Sequence, residues 1–232
     1  MITNNGLDGS QSTGFDSAIS NDDSATIDDS GVLPTNDANV DAGTILADGL
    51  IDPVMYKSFA DSAFKNVHFN GYFYLENWED AALNTPGVTS TGTPANGPIV
   101  DSVDGDDGMV DGKCTKEAGT CNSGFSLSGT IAFTFDAAAL GGQLPTHVGI
   151  VWTDGSPACD AIFEAYDAND GLVDASVSLI GTKTAAAVGD GDNGGGVTED
   201  RFFGVVHAAG VKRIVVKSSA GGVEVDHLQY GR

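Results

Sequence analysis

The chain has 232 residues, 41% of them hydrophobic, and 33 Asp and Glu stand against 10 Lys and Arg, for a net charge of −23. That apolar content supports a core and excludes wholesale disorder, while the charge excludes nucleic acid and anionic membrane surfaces as partners. It fits cation binding, high solubility or a salty milieu.

Most of the acid is Asp, accompanied by 32 glycines. Asp with Gly builds turns and ion loops, whereas an acidic helical surface favours Glu. No apolar run reaches eighteen residues, so no helical membrane insertion is expected. The opening Met1-Ile-Thr-Asn-Asn-Gly6 lacks the basic and apolar regions of a Sec signal. The chain is therefore expected at an extracellular or particle surface after loss of a leader, by another export route, or in a virion released by lysis.

Residues 1–52 hold ten Asp and no Glu, Lys or Arg. This composition predicts an extended acidic arm that docks on a partner, a neighbouring subunit or a larger assembly. Small apolar footholds stand at Ile19, Ile27, Val32, Leu33, Val40, Ile45 and Leu46. Asp52-Pro53 reads as an N-cap with proline at the first helical position. A short helix is expected over 53–66, with Met55, Phe59 and Ala63 on one face.

From Val67 the pattern is that of strands. Val67–Leu75 is aromatic-rich and Phe125–Phe135 alternates, followed by strand patterns at 147–153, 161–166, 172–180, 202–207, 211–216 and 222–230. Gly, Asp, Asn and Pro clusters bound each run, with no helical crossover between them. The reading is all-β: an antiparallel jelly-roll β-sandwich over 67–232, with the acidic N-terminal arm and one short helix.

The densest acidic text is Asp101-Ser-Val-Asp104-Gly-Asp106-Asp107-Gly-Met-Val-Asp111-Gly112. Five carboxylates repel one another unless a cation joins them, and the glycines let them converge. Asp101, Asp104, Asp106, Asp107 and Asp111 are therefore expected to bind Ca²⁺. The stretch is not an EF-hand: counted from Asp104, position twelve is Thr115, where a bidentate Glu belongs. A solvated acidic loop is the alternative. Cys114 and Cys121 flank a short loop and would staple it in an oxidising compartment, while Cys159 is expected to be buried as a small hydrophobe. Gly189, Gly191 and Gly194 match G-x-G-x-x-G only formally, because no helix follows and Asp190 and Asp192 repel a pyrophosphate.

Catalytic patterns are thin. His68, His147, His207 and His227 are scattered, and no H-E-x-x-H or nucleophile elbow occurs. Trp78, Tyr74 and Tyr166 are candidates for sugar stacking, since a flat ring presents an apolar face to a pyranose. Trp78 has polar neighbours and reads as a surface residue, whereas Trp152, in Val148-x-Ile150-x-Trp152, reads as core.

The text Glu76-Asn-Trp-Glu79-Asp80-Ala-Ala-Leu-Asn-Thr-Pro-Gly87 and the closing Val223-Glu-Val-Asp226-His-Leu-Gln-Tyr230-Gly resemble the first and last strands of bacterial secreted β-sandwich modules. These belong to the galactose-binding-like, carbohydrate-binding jelly-roll class. The resemblance covers about 67–232 and implies a structural calcium where the first and last strands meet, with Glu76 or Glu79 and Asp226 as ligands. It also implies a non-catalytic binding or display module. The expected function is therefore a non-enzymatic, calcium-stabilised, surface-displayed sandwich that binds glycans or adheres. A decoration or cement protein of a phage capsid or appendage is the main alternative, and a glycoside hydrolase or lyase is third.

Overall fold

Alternate residues of a strand face opposite sides of its sheet, so Ile131, Phe133 and Phe135 must share one face, and all three are buried. The same rule organises the whole molecule. The computed structural model describes residues 46–78, 80–96, 122–173, 182–189 and 199–232. In chain order the strands are β1 (Gly49–Met55), β2 (Phe73–Glu76), β3 (Val88–Ser90), β4 (Thr93–Asn96), β5 (Asn122–Ser126) and β6 (Thr130–Phe135). They continue with β7 (His147–Gly155), β8 (Ala161–Asp167), β9 (Thr182–Ala185), β10 (Arg201–Val206), β11 (Val211–Ser218) and β12 (Val223–Gly231).

Every named pairing is antiparallel. One sheet runs β1-β10-β7-β12-β5-β4, with β2 also on β12, and the other runs β3-β6-β11-β8-β9. The expected all-β sandwich is the architecture found. Its core lies between the sheets. Val148, Ile150 and Trp152 of β7, Phe203 of β10 and Tyr230 of β12 meet Phe133, Phe163 and Ile214 of the facing sheet. Phe163 stacks on Phe203 at 5.7 Å between centroids, and Phe135 meets Tyr230 at 5.0 Å.

The seven-stranded sheet is apolar on its outer side as well. There Val151, Phe202 and Val206 form a second cluster with Tyr56 and Phe64, from the segment that follows β1. That segment is tied down by buried hydrogen bonds. Tyr56 Oη and His227 Nδ1 are 2.7 Å apart, Gln229 Nε2 donates to Tyr56 Oη at 3.1 Å, and Ser62 Oγ donates to Gln229 Oε1 at 2.5 Å.

Three expectations need correction. The helix over 53–66 is not formed: β1 runs through Met55, and only Phe59–Asp61 winds, as one 3-10 turn capped by the Ser58 hydroxyl. Pro53 sits at an irregularity between Ile51 and Val54 in the pairing with β10, where its missing N–H costs no ladder bond. The burial of Tyr56 and Phe64 on the sheet overrides the local helical spacing. Phe125–Phe135 is two strands, broken by a turn at Leu127–Gly129 where Gly129 has φ +70. Of Val67–Leu75, only Phe73 onward is strand. The strand expected over 172–180 falls mostly outside the described residues.

Gly149 lies mid-β7 with the Phe202 and Phe64 rings against it, so a methyl group there collides with both. Gly149→Ala should lower unfolding free energy by about 1–3 kcal/mol, read as a drop in the urea midpoint at unchanged m-value. An unchanged midpoint contradicts this packing.

Candidate functional site

Two places on the sandwich gather chemistry. The first is the open outer face of the five-stranded sheet. Alternation along β8 and β11 puts Ile162, Glu164 and Tyr166 beside Lys217, Val215 and Arg213, in that order across the ladder. The Arg213 guanidinium carbon lies 3.7 Å from the Tyr166 ring centroid. Tyr166 Oη donates to Glu164 Oε2 at 2.7 Å, and Lys217 Nζ donates to Glu164 Oε1 at 2.6 Å. Burial pushes the Glu164 carboxyl up, but the hydrogen bonds from Lys217 and Tyr166 and the nearby positive charges outweigh it and hold Glu164 below the usual range. Burial, then the bond to Glu164, pushes the Tyr166 phenol up. The result is a half-exposed ring fixed in place among charged groups.

The second is a buried acidic region on the outer side of the seven-stranded sheet. Asp154, Glu199, Asp200, Glu224 and Asp226 are all at most 6% exposed. Glu224 pairs across the ladder with Asp154, and Asp226 with Val151. Asp226 Oδ1 accepts its neighbour His227 N–H at 2.7 Å, and Glu224 Oε1 accepts from Ser123 Oγ at 3.3 Å. Burial, then the charges of Glu199 and Asp226, pushes the Asp200 carboxyl well above the usual range, with Arg201 opposing.

Of the expected ligand-binding aromatics, Trp78 is corrected: it is 1% exposed and packs in the core against Phe133. A left-handed backbone at Trp78 (φ 55) turns the ring inward, and Gly124 leaves the room it fills. Tyr74 is half-buried between Tyr72 and Tyr230. Tyr72 donates to the Gln143 carbonyl at 3.0 Å, and burial pushes its phenol up to about 12. Tyr166 keeps part of its ring on the surface.

Of the expected metal ligands, only Glu76 and Asp226 fall among the described residues. Asp101, Asp104, Asp106, Asp107, Asp111, Cys114, Cys121 and Glu79 lie outside the described residues. Glu76 is not brought to Asp226. It pairs with Leu228 and shares the inner side with Tyr74, whereas Asp226 shares the outer side with Val151. The Glu76 carboxylate instead pins the following loop, accepting from Trp78 N, Asn84 N, Thr85 N and Thr85 Oγ1 at 3.0–3.2 Å. Among the described residues, no three His, Cys, Asp or Glu groups already converge as metal ligands. Cys159 is buried, as expected.

Sequence reasoning passed over Glu164, Arg213, Lys217, Thr153, Asp154 and Glu224, and it met Glu199 and Asp200 only as the end of a Gly/Asp stretch over 189–200 read as a loop able to take a cation. The readable signal was acid placed inside apolar strand text: Thr153-Asp154 after Val148–Trp152, Asp200 before Phe202-Phe203, and Glu224 and Asp226 between valines.

No family model and no curated protein matches the chain. Among solved structures it is similar to the enzymatically active domain of bacteriophage CBA120 tailspike protein 4, at 13% identity and a TM-score of 0.31. That match covers 67% of this chain and 20% of the tailspike chain, so the chain spans about a fifth of the tailspike's length. It is also similar to the K1 cleaved adhesin domain of Lys-gingipain from Porphyromonas gingivalis W83. Identity is again 13%, the TM-score is 0.38, and 69% of this chain and 98% of that one are covered.

His147, at the start of β7, meets the edges of the Phe64 and Phe69 rings at 5.6 and 5.3 Å. Burial there lowers its pKa from 6.5, partly offset by Asp48. The unfolded chain therefore takes the proton first as pH falls. This contribution to stability is complete above about pH 6.5 and declines below it. NMR titration of the folded protein should place the His147 midpoint below 6.5, and a midpoint at or above that value contradicts the burial.

Proposed function

We propose that the chain is a non-catalytic, surface-displayed β-sandwich that binds glycans or mediates adhesion and is stabilised by calcium. The observation that carries the binding part is the half-exposed Tyr166 ring, held by Arg213 and Glu164 on an open sheet face. An immobilised ring costs little ordering entropy when a sugar stacks on it, and the adjacent carboxylate, guanidinium and ammonium groups offer hydroxyls both donors and acceptors. The reaction-type alternative, a hydrolase, needs two accessible carboxylates flanking a bond. The clustered acids described above are buried instead.

A second reading is a decoration protein of a larger particle. It is favoured by β1, which pairs only with β10 in the described sheet and leaves Val54 and Met55 43% and 51% exposed at its end. The expected arm over 1–52 overlaps β1 at residues 49–52, and in this reading the acidic text ahead of β1 and β1 itself together meet a neighbouring subunit.

Glycan-array screening tests the first reading. A glycan bound by the protein should lose about tenfold or more in affinity with Tyr166→Ala, and similarly with Arg213→Ala. Binding to no glycan, or binding that both variants leave intact, rules out this face. Light scattering tests the second: self-association or particle binding should be abolished by Val54→Lys with Met55→Lys. A monomer that ignores both changes argues against it.

A further inference from the structure

The geometry points to a hard-cation site, with Ca²⁺ the best fit, on the outer side of the seven-stranded sheet where Asp200 and Thr153 lie beside Asp226. β10 and β7 pair from Val206↔His147 to Arg201↔Trp152. One further step in that register sets Asp200 opposite Thr153. Phe202 and Val151 both belong to the outer cluster, so alternation turns Asp200 to the outer side, and Thr153, the extra residue where the β7–β12 register shifts between Trp152 and Asp154, stands opposite it. Asp226 of β12 joins them there through its pairing with Val151. Register shifts in the β7–β12 ladder, between Glu224 and Val225 and between Asp226 and Gln229, reshape the sheet at this point.

Asp200, Thr153 and Asp226 are each 0% exposed. Both carboxylate oxygens of Asp200 and the Thr153 hydroxyl are buried without a hydrogen-bond partner. Three such oxygens side by side are costly, since each loses water and gains no donor. The acidic side chains that act on Asp200 are Glu199, Asp226 and Asp154. Arg201 opposes them, and its Nη1 donates to the Asp200 main-chain oxygen at 2.8 Å. What stands without a donor is oxygen, with the charge of the Asp200 carboxylate, in a place closed to solvent.

A single hard cation answers both terms, because it takes oxygen ligands only and brings positive charge. The charged groups do not close on one point as they stand. The sphere is accordingly a mixed one: Asp200 and Asp226 supply carboxylates, Thr153 its hydroxyl, and main-chain carbonyls the remainder. Six to eight loosely arranged oxygens suit Ca²⁺ better than Mg²⁺, which demands a near-ideal octahedron. This site deepens the calcium part of the function proposed above and is independent of the glycan-binding face.

The test uses the full chain, stripped with EDTA and then titrated with CaCl2 or MgCl2, read by thermal melting and isothermal calorimetry. Calcium at about 100 times its Kd should raise the melting midpoint by roughly 5–10 °C, with Mg²⁺ weaker. Asp200→Asn should abolish that response. Thr153→Val, which keeps shape and removes the hydroxyl, should weaken the Kd about tenfold and provides the answer if the Asp200 variant does not fold. A calcium response that survives both changes but disappears with Asp104→Asn, Asp106→Asn and Asp107→Asn together places the ion in the acidic loop. That result overturns this site while leaving calcium stabilisation standing. No calcium response in the parent protein, with Asp200→Asn melting higher than the parent, means that a proton neutralises Asp200 and overturns both.

Discussion

A sheet with apolar side chains on both faces has to be covered on both, and this constraint shapes the molecule. β7 and β12 are buried almost end to end. The five-stranded sheet covers their inner side through Trp152, Phe203, Leu228 and Tyr230. Among the described residues no third sheet covers the outer side; the segment from Tyr56 to Phe69 lies over it and carries Phe64 onto Phe202, edge to face at 5.5 Å. Polar atoms sealed beneath that cover need partners. The Tyr56, His227, Gln229 and Ser62 network supplies them over one part of the face.

The acidic region occupies the same outer side beyond that network. Its side chains answer to the low dielectric around them, where like charges repel more strongly than in water. The outer face of the other sheet behaves in the opposite way. It stays open, its charges alternate in sign, and Lys217, Glu164, Tyr166 and Arg213 satisfy one another while remaining in reach of solvent. The two sides thus differ in kind: one closed and acidic, the other mixed in charge and in reach of solvent.

What was legible in the sequence was periodicity. Ile131-x-Phe133-x-Phe135 and Val148-x-Ile150-x-Trp152 alternate without interruption, so their strands and the core position of Trp152 could be read directly. Trp78 could not, because Asn77 and Asp80 report only on their own loop, while the ring's burial depends on a left-handed backbone and on a glycine in another strand. The short helix failed for a similar reason. Met55, Phe59 and Ala63 are helically spaced, but the surface that decides their fate comes from β7 and β10. The acids show the gap most clearly. Crowding along the chain is visible at 101–111, whereas Asp154, Asp200 and Asp226 are neighbours only once three strands have paired.

The placement of β12 also bears on how the chain reaches its native state. This strand, at residues 223–231, sits inside the sheet between β7 on one side and β2 and β5 on the other, and it bonds partners as remote as Glu76. Without it, β7 and β5 face each other across an empty lane and the buried network over Phe64 has lost two members, His227 and Gln229. During synthesis the earlier strands must therefore wait with unsatisfied edges until β12 leaves the ribosome. Such dependence on distant pairing makes folding slow and favours handling by chaperones, and it makes removal of the last nine residues of the sheet far more damaging than a cut of equal length in an exposed turn.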